Sequence, residues 1–243
     1  MKETIVIVGA GIPGLALALA LTQFDHLDIT LIDQFEPTFQ WQGIDARVSA
    51  ITPKSQHFFA NLNAWSAMET LGVTPYQRMH VWEAESNGAL DFVSDTKTCL
   101  GYMIENRVMR SVLLAEVLKN PRIKTRWPLA LSSCEFLNDQ WLVASEQEFF
   151  KADLIIAADG AQSFVREQAN IKLHEKSYEQ TAIIATLVTE KPHEFIARQR
   201  FLKTGPLAFL PIKDSHTSSI VWSMDTDQAQ AMMQVSDDEF KRM

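Results

Sequence analysis

The sequence is poor in the residues that define several functional classes. Only two cysteines occur in 243 residues, Cys99 and Cys134. That is too few for a disulfide scaffold, and they lack the paired spacing of a metal site. Both are expected to be buried thiols of a reducing compartment. No apolar run approaches the roughly 20 residues that cross a bilayer; the longest covers residues 15–21. Gly9, Gly11 and Gly14 interrupt the apolar N-terminus, and Asp25 and Asp28 follow, which is not the layout of a signal peptide. A cytoplasmic location is the default expectation, and peripheral contact with a membrane stays open. Basic residues are in deficit: 22 Lys and Arg against 30 Asp and Glu leave a net charge of −8, so nucleic acid is not an expected partner. Nine glycines and nine prolines exclude collagen-like or linker-dominated sequence. The six histidines include no i, i+4 pair, so no metal is expected. There is no Gly-x-Ser-x-Gly elbow and no P-loop, which removes support for hydrolase and NTPase chemistry.

What is present describes an ordinary folded chain. Apolar residues make up 47% and charged residues 21%, enough to bury a core in one large domain or two small ones. Thr4-Ile5-Val6-Ile7-Val8 is β-branched and nearly all apolar, as a strand buried on both faces requires. A glycine turn follows. The alternating Leu and Ala of residues 15–21 then predict a helix, because both are strong helix formers and no β-branched residue intervenes. Residues 28–33 read as a second buried strand, which completes a β-α-β unit. Further helices are expected over 54–71, stopped by Gly72, over 109–118, and over 162–169. Short half-exposed strands are expected at 79–85 and 90–93, antiparallel strands at 123–126, 130–136 and 141–144, and an apolar strand at 153–157. Beyond Tyr178 the pattern changes to long β stretches at 181–189, 199–202, 207–212 and 218–224, which suggest one antiparallel sheet and so a second domain. Ser236-Asp237-Asp238-Glu239 has the layout of a capping box, with only about one turn of helix after it. This predicts a chain that stops inside a larger fold.

The strongest chemical signal is Gly9-Ala10-Gly11-Ile12-Pro13-Gly14 between a buried strand and a helix. Gly9 permits the turn, Gly11 lets a pyrophosphate approach the backbone, and Gly14 lets helix and strand pack closely. The unpaired N–H groups and positive dipole end of the helix face the phosphates. Asp33 ends the next strand, 24 positions after Gly9, where its carboxylate accepts hydrogen bonds from ribose hydroxyls. The motif does not by itself separate FAD from NAD, and a glycine turn used only for packing is the bland alternative. The second signal is Asp159-Gly160-Ala161-Gln162-Ser163-Phe164-Val165-Arg166. An acid at the carboxyl end of a parallel strand lies where open α/β sheets bind ligands. Ser163 and Arg166, three apart, share a helix face. Asp-Gly is equally common in plain turns. Phe58, Phe59, Trp65, Trp82, Phe201, Phe209 and Trp222 suit either a greasy pocket or plain core.

Together the two motifs resemble the flavoprotein aromatic hydroxylases, the group A FAD monooxygenases of the p-hydroxybenzoate hydroxylase fold. Asp159, Gly160, Ser163 and Arg166 match the Asp-Gly-x-x-Ser-x-x-Arg segment of that family in full. More narrowly, the chain is similar to the ubiquinone-biosynthesis hydroxylases acting on polyprenylated phenols, and within them to the 2-polyprenylphenol hydroxylase branch. That resemblance rests on Arg47-Val48-Ser49-Ala50-Ile51, Gly101-Tyr102-Met103-Ile104-Glu105-Asn106, Glu190-Lys191-Pro192-His193, Gly205-Pro206-Leu207-Ala208-Phe209-Leu210-Pro211 and Ser219-Ile220-Val221-Trp222-Ser223, and it runs over the whole chain.

The resemblance implies an α/β fold: a Rossmann-like FAD-binding domain at residues 1–78 and 101–176, and a mainly antiparallel β substrate domain at 79–100 and 177–243. It implies FAD as cofactor, NAD(P)H and O2 as co-substrates, and a lipid-like phenol as substrate. Gly9, Gly11, Gly14, Asp33, Arg47, Asn106, Asp159, Gly160, Ser163 and Arg166 become the expected cofactor-binding residues. Arg47, in an Asp45-Ala46-Arg47 loop, falls on the flavin side, where a guanidinium suits a phosphate or a flavin carbonyl; the plain alternative is a surface arginine. Relatives carry Arg or Asn where Asn106 stands. No catalytic side chain is singled out. The apolar tail of such a substrate calls for a mouth near a membrane surface or for delivery by a biosynthetic complex. A third flavin motif of the family, Gly-Asp-Ala-Ala-His with a Pro and Gly-rich stretch, has no counterpart here, so a C-terminally incomplete chain is expected. Three other readings stay open. One is a flavin-dependent reductase on the same scaffold. Another is a truncated, non-catalytic chain serving as a binding or assembly piece. The third is a plain NAD dehydrogenase, against which residues 159–166 argue.

Overall fold

The computed structural model describes residues 2–41, 45–94, 99–240 and 242. In chain order the first elements are β1 (Glu3–Val8), α1 (Ile12–Leu21), β2 (Leu27–Ile32), β3 (Val48–Ile51), α2 (Pro53–Asn61), α3 (Trp65–Gly72), β4 (Val73–Tyr76), β5 (Arg78–Glu83), β6 (Ala89–Val93), β7 (Gly101–Glu105) and α4 (Asn106–Lys119). There follow β8 (Ile123–Arg126), β9 (Leu131–Leu137), β10 (Gln140–Ser145), β11 (Phe149–Ala152), β12 (Leu154–Ala157) and α5 (Phe164–Gln168). The last are β13 (Gln180–Val188), β14 (Ile196–Leu202), β15 (Gly205–Pro211), β16 (Thr217–Asp225), α6 (Thr226–Met232) and α7 (Asp237–Phe240).

Two compact units form. The first holds residues 1–42, 58–68 and 107–174; the second holds 43–57, 69–106 and 175–243. The first unit is built on a four-stranded parallel sheet in the order β12-β1-β2-β8. Val6, Ile7, Ile29, Leu31 and Ile32 are fully buried, because a parallel strand inside such a sheet is covered on both faces. Helix α1 presses Leu15 and Ala18 into the same core, so the Leu/Ala run is helical as its propensities require. The apolar strand β12 lies at the sheet edge, with Leu154 half-exposed. A separate meander, β11-β10-β9, packs Cys134, Val143 and Ala152 against Val6, Val8 and Ile32.

The second unit has a six-stranded sheet, β13-β16-β15-β14-β5-β6, and a smaller one, β3-β7-β4. The large sheet is antiparallel except where β14 runs parallel to β5. Met103 of β7, with Val48 and Tyr76, packs against Met79, Ala197 and Leu210 of the large sheet. Those contacts hold residues 43–57, 69–78 and 101–106 to the second unit, a division different from the one expected from the sequence.

Four local expectations need correction, the first being that β8, expected antiparallel, pairs parallel with β2. The helix expected over 54–71 is two helices, because Asn63 adopts a left-handed φ of 58° and terminates α2. The Ala64 amide donates to the Phe59 carbonyl and the Asn63 amide to the Ala60 carbonyl, a Schellman ending. Strands β3, β4, β7 and β11 and helix α6 are not expected from the sequence; all are too short for periodicity to mark them. Of the cysteines, Cys134 is buried but Cys99 is only half-buried. Burial, and then the Asp159 charge, push the Cys134 thiol up to about 11. Its thiolate is therefore scarce below pH 9. Alkylation of the folded chain at pH 8, read by mass spectrometry, is expected to modify Cys99 at least about tenfold faster than Cys134. The capping box forms as read: the Ser236 amide donates to Glu239 Oε2 at 3.0 Å and the Glu239 amide to Ser236 Oγ at 3.3 Å.

Candidate functional site

The carboxyl ends of β1, β2 and β12 bring the first motif together. Gly9 follows β1 with φ 107°, and a side chain there would meet the Ala158 carbonyl oxygen at 2.3 Å. The turn therefore needs glycine both for its dihedral and for the close passage of the β12 end. A Cβ on Gly14 would lie 1.9 Å from the Gly9 oxygen, so α1 sits on the turn as tightly as the motif demands. Gly11 is different: its only neighbour would be Pro13 Cδ at 3.8 Å. Gly11 is the N-cap of α1, no side chain caps it, and Pro13 occupies the first turn. Helix donors and open space thus coincide at Gly11, the arrangement that a diphosphate fills.

Asp33 is held in place. Its Oδ2 accepts the Ala10 amide at 2.6 Å and its Oδ1 accepts the Phe35 amide at 2.9 Å. The carboxylate ties the glycine turn to the end of β2. Removing it as Asp33→Ala loses two charge-assisted acceptors and is expected to destabilise the chain by about 2 kcal/mol, read as a lower urea midpoint.

Asp159 stands beside this turn. Gly9, Asp33, Gln34, Asp159, Gln162 and Phe164 line one cavity of about 190 Å³. The Ser163 hydroxyl donates to Asp159 Oδ1 at 2.5 Å, and the Val165 amide donates to Asp159 Oδ2 at 3.2 Å. Ser163 also caps α5, accepting the Arg166 amide at 3.0 Å, while the Arg166 guanidinium donates to the Ala161 carbonyl at 2.7 Å. Asp159, Ser163 and Arg166 therefore brace one turn, and Gly160, with φ 87° and nothing within 4 Å of a side-chain position, leaves its backbone open.

Arg47 and Asn106 stand together in the second unit. The Asn106 amide donates to the Arg47 carbonyl at 2.9 Å, and the Ser49 hydroxyl donates to Asn106 Oδ1 at 2.6 Å. The loop before them is gripped by residues not singled out from the sequence. Buried Glu105 accepts the Asp45 amide at 2.6 Å, and the Ser219 hydroxyl donates to the Ala46 carbonyl at 3.2 Å. The signal for Glu105 was an acid closing an otherwise apolar strand. Among the described residues no group of three or more His, Cys, Asp or Glu could hold a metal ion, and no helix is long and apolar enough to cross a membrane.

Comparison with known proteins agrees with this geometry. The chain is 34% identical over 222 residues to 3-demethoxyubiquinol 3-hydroxylase of Escherichia coli, covering 90% of this chain and 56% of that protein. It is 30% identical over 253 residues to the mitochondrial ubiquinone biosynthesis monooxygenase COQ6 of Xenopus tropicalis, covering 97% and 54%. The chain thus spans about half the length of the curated relatives it matches. Among solved structures, p-nitrophenol 4-monooxygenase PnpA of Pseudomonas putida superposes with a TM-score of 0.77 at 13% identity, over 99% of this chain and 60% of that one. Klebsiella pneumoniae HpxO, complexed with FAD and uric acid, gives 0.69 at 17% identity, over 91% and 56%. At such identities the likeness shows the fold, the one expected from the p-hydroxybenzoate hydroxylase resemblance. The profile of the FAD binding domain family matches residues 2–243, and with the Gly9–Gly14 turn, Asp33 and the open face of Gly11 in place, the chain belongs to that family.

Proposed function

We propose that this chain is part of an NAD(P)H-dependent FAD monooxygenase that hydroxylates a polyprenylated phenol in ubiquinone biosynthesis. The observation that carries the reading is the glycine cradle under an uncapped α1, in a chain matched by the FAD binding domain family from end to end. The names of the relatives supply the substrate class. On this reading the first unit is the cofactor domain and the second the substrate domain. The amides at the start of α1 hold the diphosphate, and Asp33 accepts from the adenosine ribose. Gly160 presents backbone to the cofactor, with Asp159, Ser163 and Arg166 shaping that turn. Arg47 and Asn106 serve the flavin end, and Glu105 and Ser219 hold the Arg47 loop in position. Reduced FAD with O2 supplies the electrophilic oxygen. The chain's own task is to orient the phenol ring and keep water away from it. A substrate with an apolar tail calls for access from a membrane surface or delivery by a partner complex.

Two measurements test this. Titrating the purified chain with FAD should quench flavin fluorescence to saturation; a folded sample that takes up no flavin overturns the cofactor assignment. NAD(P)H oxidation in the presence of FAD and a polyprenylated phenol should require O2 and yield a product heavier by one oxygen. Equal oxidation without O2, giving a reduced prenyl product, would replace the hydroxylase reading by a reductase.

A further inference from the structure

Adjacent residues of β16 serve opposite faces of the six-stranded sheet. Ser219 turns to the face that holds Ala46. Ser218 turns to the other face, whose register sets Ile220, Phe209, Arg198 and His80 side by side. That outer face carries a cavity of about 380 Å³ which the function proposed above does not use. The volume falls within the range of small-molecule sites.

We propose that this outer cavity binds a small aromatic carboxylate. Its floor is Phe209, Ile196 and Ser218, and its wall is the connection from β13 to β14. Ser218, 2% exposed, closes the floor. Lys191, exposed at the rim, has no ion-pair partner among the described residues. Arg198 is tied to the His193 carbonyl at 2.7 Å and to Glu194 at 3.3 Å. Two cations over an aromatic and aliphatic floor suit an anion with a flat apolar body. The carboxylate sits between Lys191 and Arg198, displacing the exposed Glu194 carboxylate, and the ring lies on Phe209. A phosphate, which wants many converging donors, fits this lining poorly.

The wall is preformed, so little ordering accompanies binding. The His193 ring accepts the Phe195 amide at Nδ1 (3.0 Å), which leaves its proton on Nε2 to donate to the Asp214 carbonyl at 2.7 Å. The His193 amide donates to the Ser215 carbonyl at 2.8 Å, and His216 Nδ1 donates to the Thr189 carbonyl at 2.9 Å.

The test is a titration of the isotope-labelled 243-residue chain with benzoate, followed by amide NMR shifts, with benzyl alcohol and inorganic phosphate as controls. Benzoate is expected to shift Ile196, Phe209 and Ser218 with a Kd near ~1 mM. Lys191→Gln should weaken it about tenfold and Glu194→Gln should tighten it about threefold, a charge difference acting near the surface. Both positions are exposed, so both variants should keep the wild-type spectrum elsewhere. Saturating FAD should leave the benzoate Kd unchanged, because the site is on the face away from the Arg47 loop. No shift at these amides, an unchanged Kd in Lys191→Gln, phosphate or benzyl alcohol binding as tightly as benzoate, or competition by FAD would each overturn the proposal.

Discussion

Replacing Gly11 by alanine is expected to leave the urea midpoint of the chain unchanged while weakening FAD binding about 10- to 100-fold. The backbone of Gly11, at φ −76° and ψ 178°, is one that any residue adopts. The added methyl meets nothing closer than Pro13 Cδ at 3.8 Å, so folding is indifferent to it. The methyl does occupy the space over the uncapped start of α1. Forcing a pyrophosphate to stand off a methyl costs about 1–3 kcal/mol, the range of overpacking penalties, and 1.4 kcal/mol is tenfold in affinity. Flavin fluorescence and urea unfolding on the same sample give both quantities. An alanine variant that binds FAD like the parent would mean that the diphosphate does not approach this residue.

Gly14→Ala should show the opposite signature, with a loss of about 3 kcal/mol or more in unfolding free energy. Its Cβ would stand 1.9 Å from the Gly9 oxygen and 3.1 Å from the Gly9 carbon. Both are backbone atoms, so relief requires moving α1 away from the β1 turn. That shift opens the core around Leu15 and Ala18, which are fully buried. The urea midpoint should fall with little change in the denaturant slope, because the surface exposed on unfolding is nearly the same. Flavin binding should weaken too, as a consequence of the displaced helix. An unchanged midpoint would show that the turn and helix are not packed as described. The pair of variants assigns different tasks to two glycines of one motif, which the motif alone cannot do.

Parts of this architecture were legible because local chemistry and tertiary demand agree there. The strand of residues 4–8 is apolar on both sides, the turn is glycine where φ is positive, and Asp33 closes the next strand. Each choice supports the same β-α-β unit. Ser236 and Glu239 are likewise read correctly because a capping box is satisfied within four residues. The reading failed where a single dihedral or a distant partner decides. Asn63 breaks a helix by adopting φ 58°, and asparagine does so only when the packing around it favours the turn. The parallel pairing of β14 with β5 joins residues more than a hundred positions apart, and no periodicity announces a partner. No strand is expected over 101–105 from the sequence, and only the structure shows the Glu105 carboxylate shaping the Asp45 loop.

By itself the sequence determined the dinucleotide-type turn, its helix and its terminal acid, since glycine placement, apolar runs and helix propensity act over a few residues. It also determined the α/β character of the chain and the change to long strands after residue 178. Only the tertiary structure decided which segments join the second unit, which side of β16 each serine serves, and where Asp159 spends its hydrogen bonds. Those outcomes depend on register and on contacts between segments far apart in the chain. A one-residue change of register exchanges the two faces of a strand while the composition stays the same.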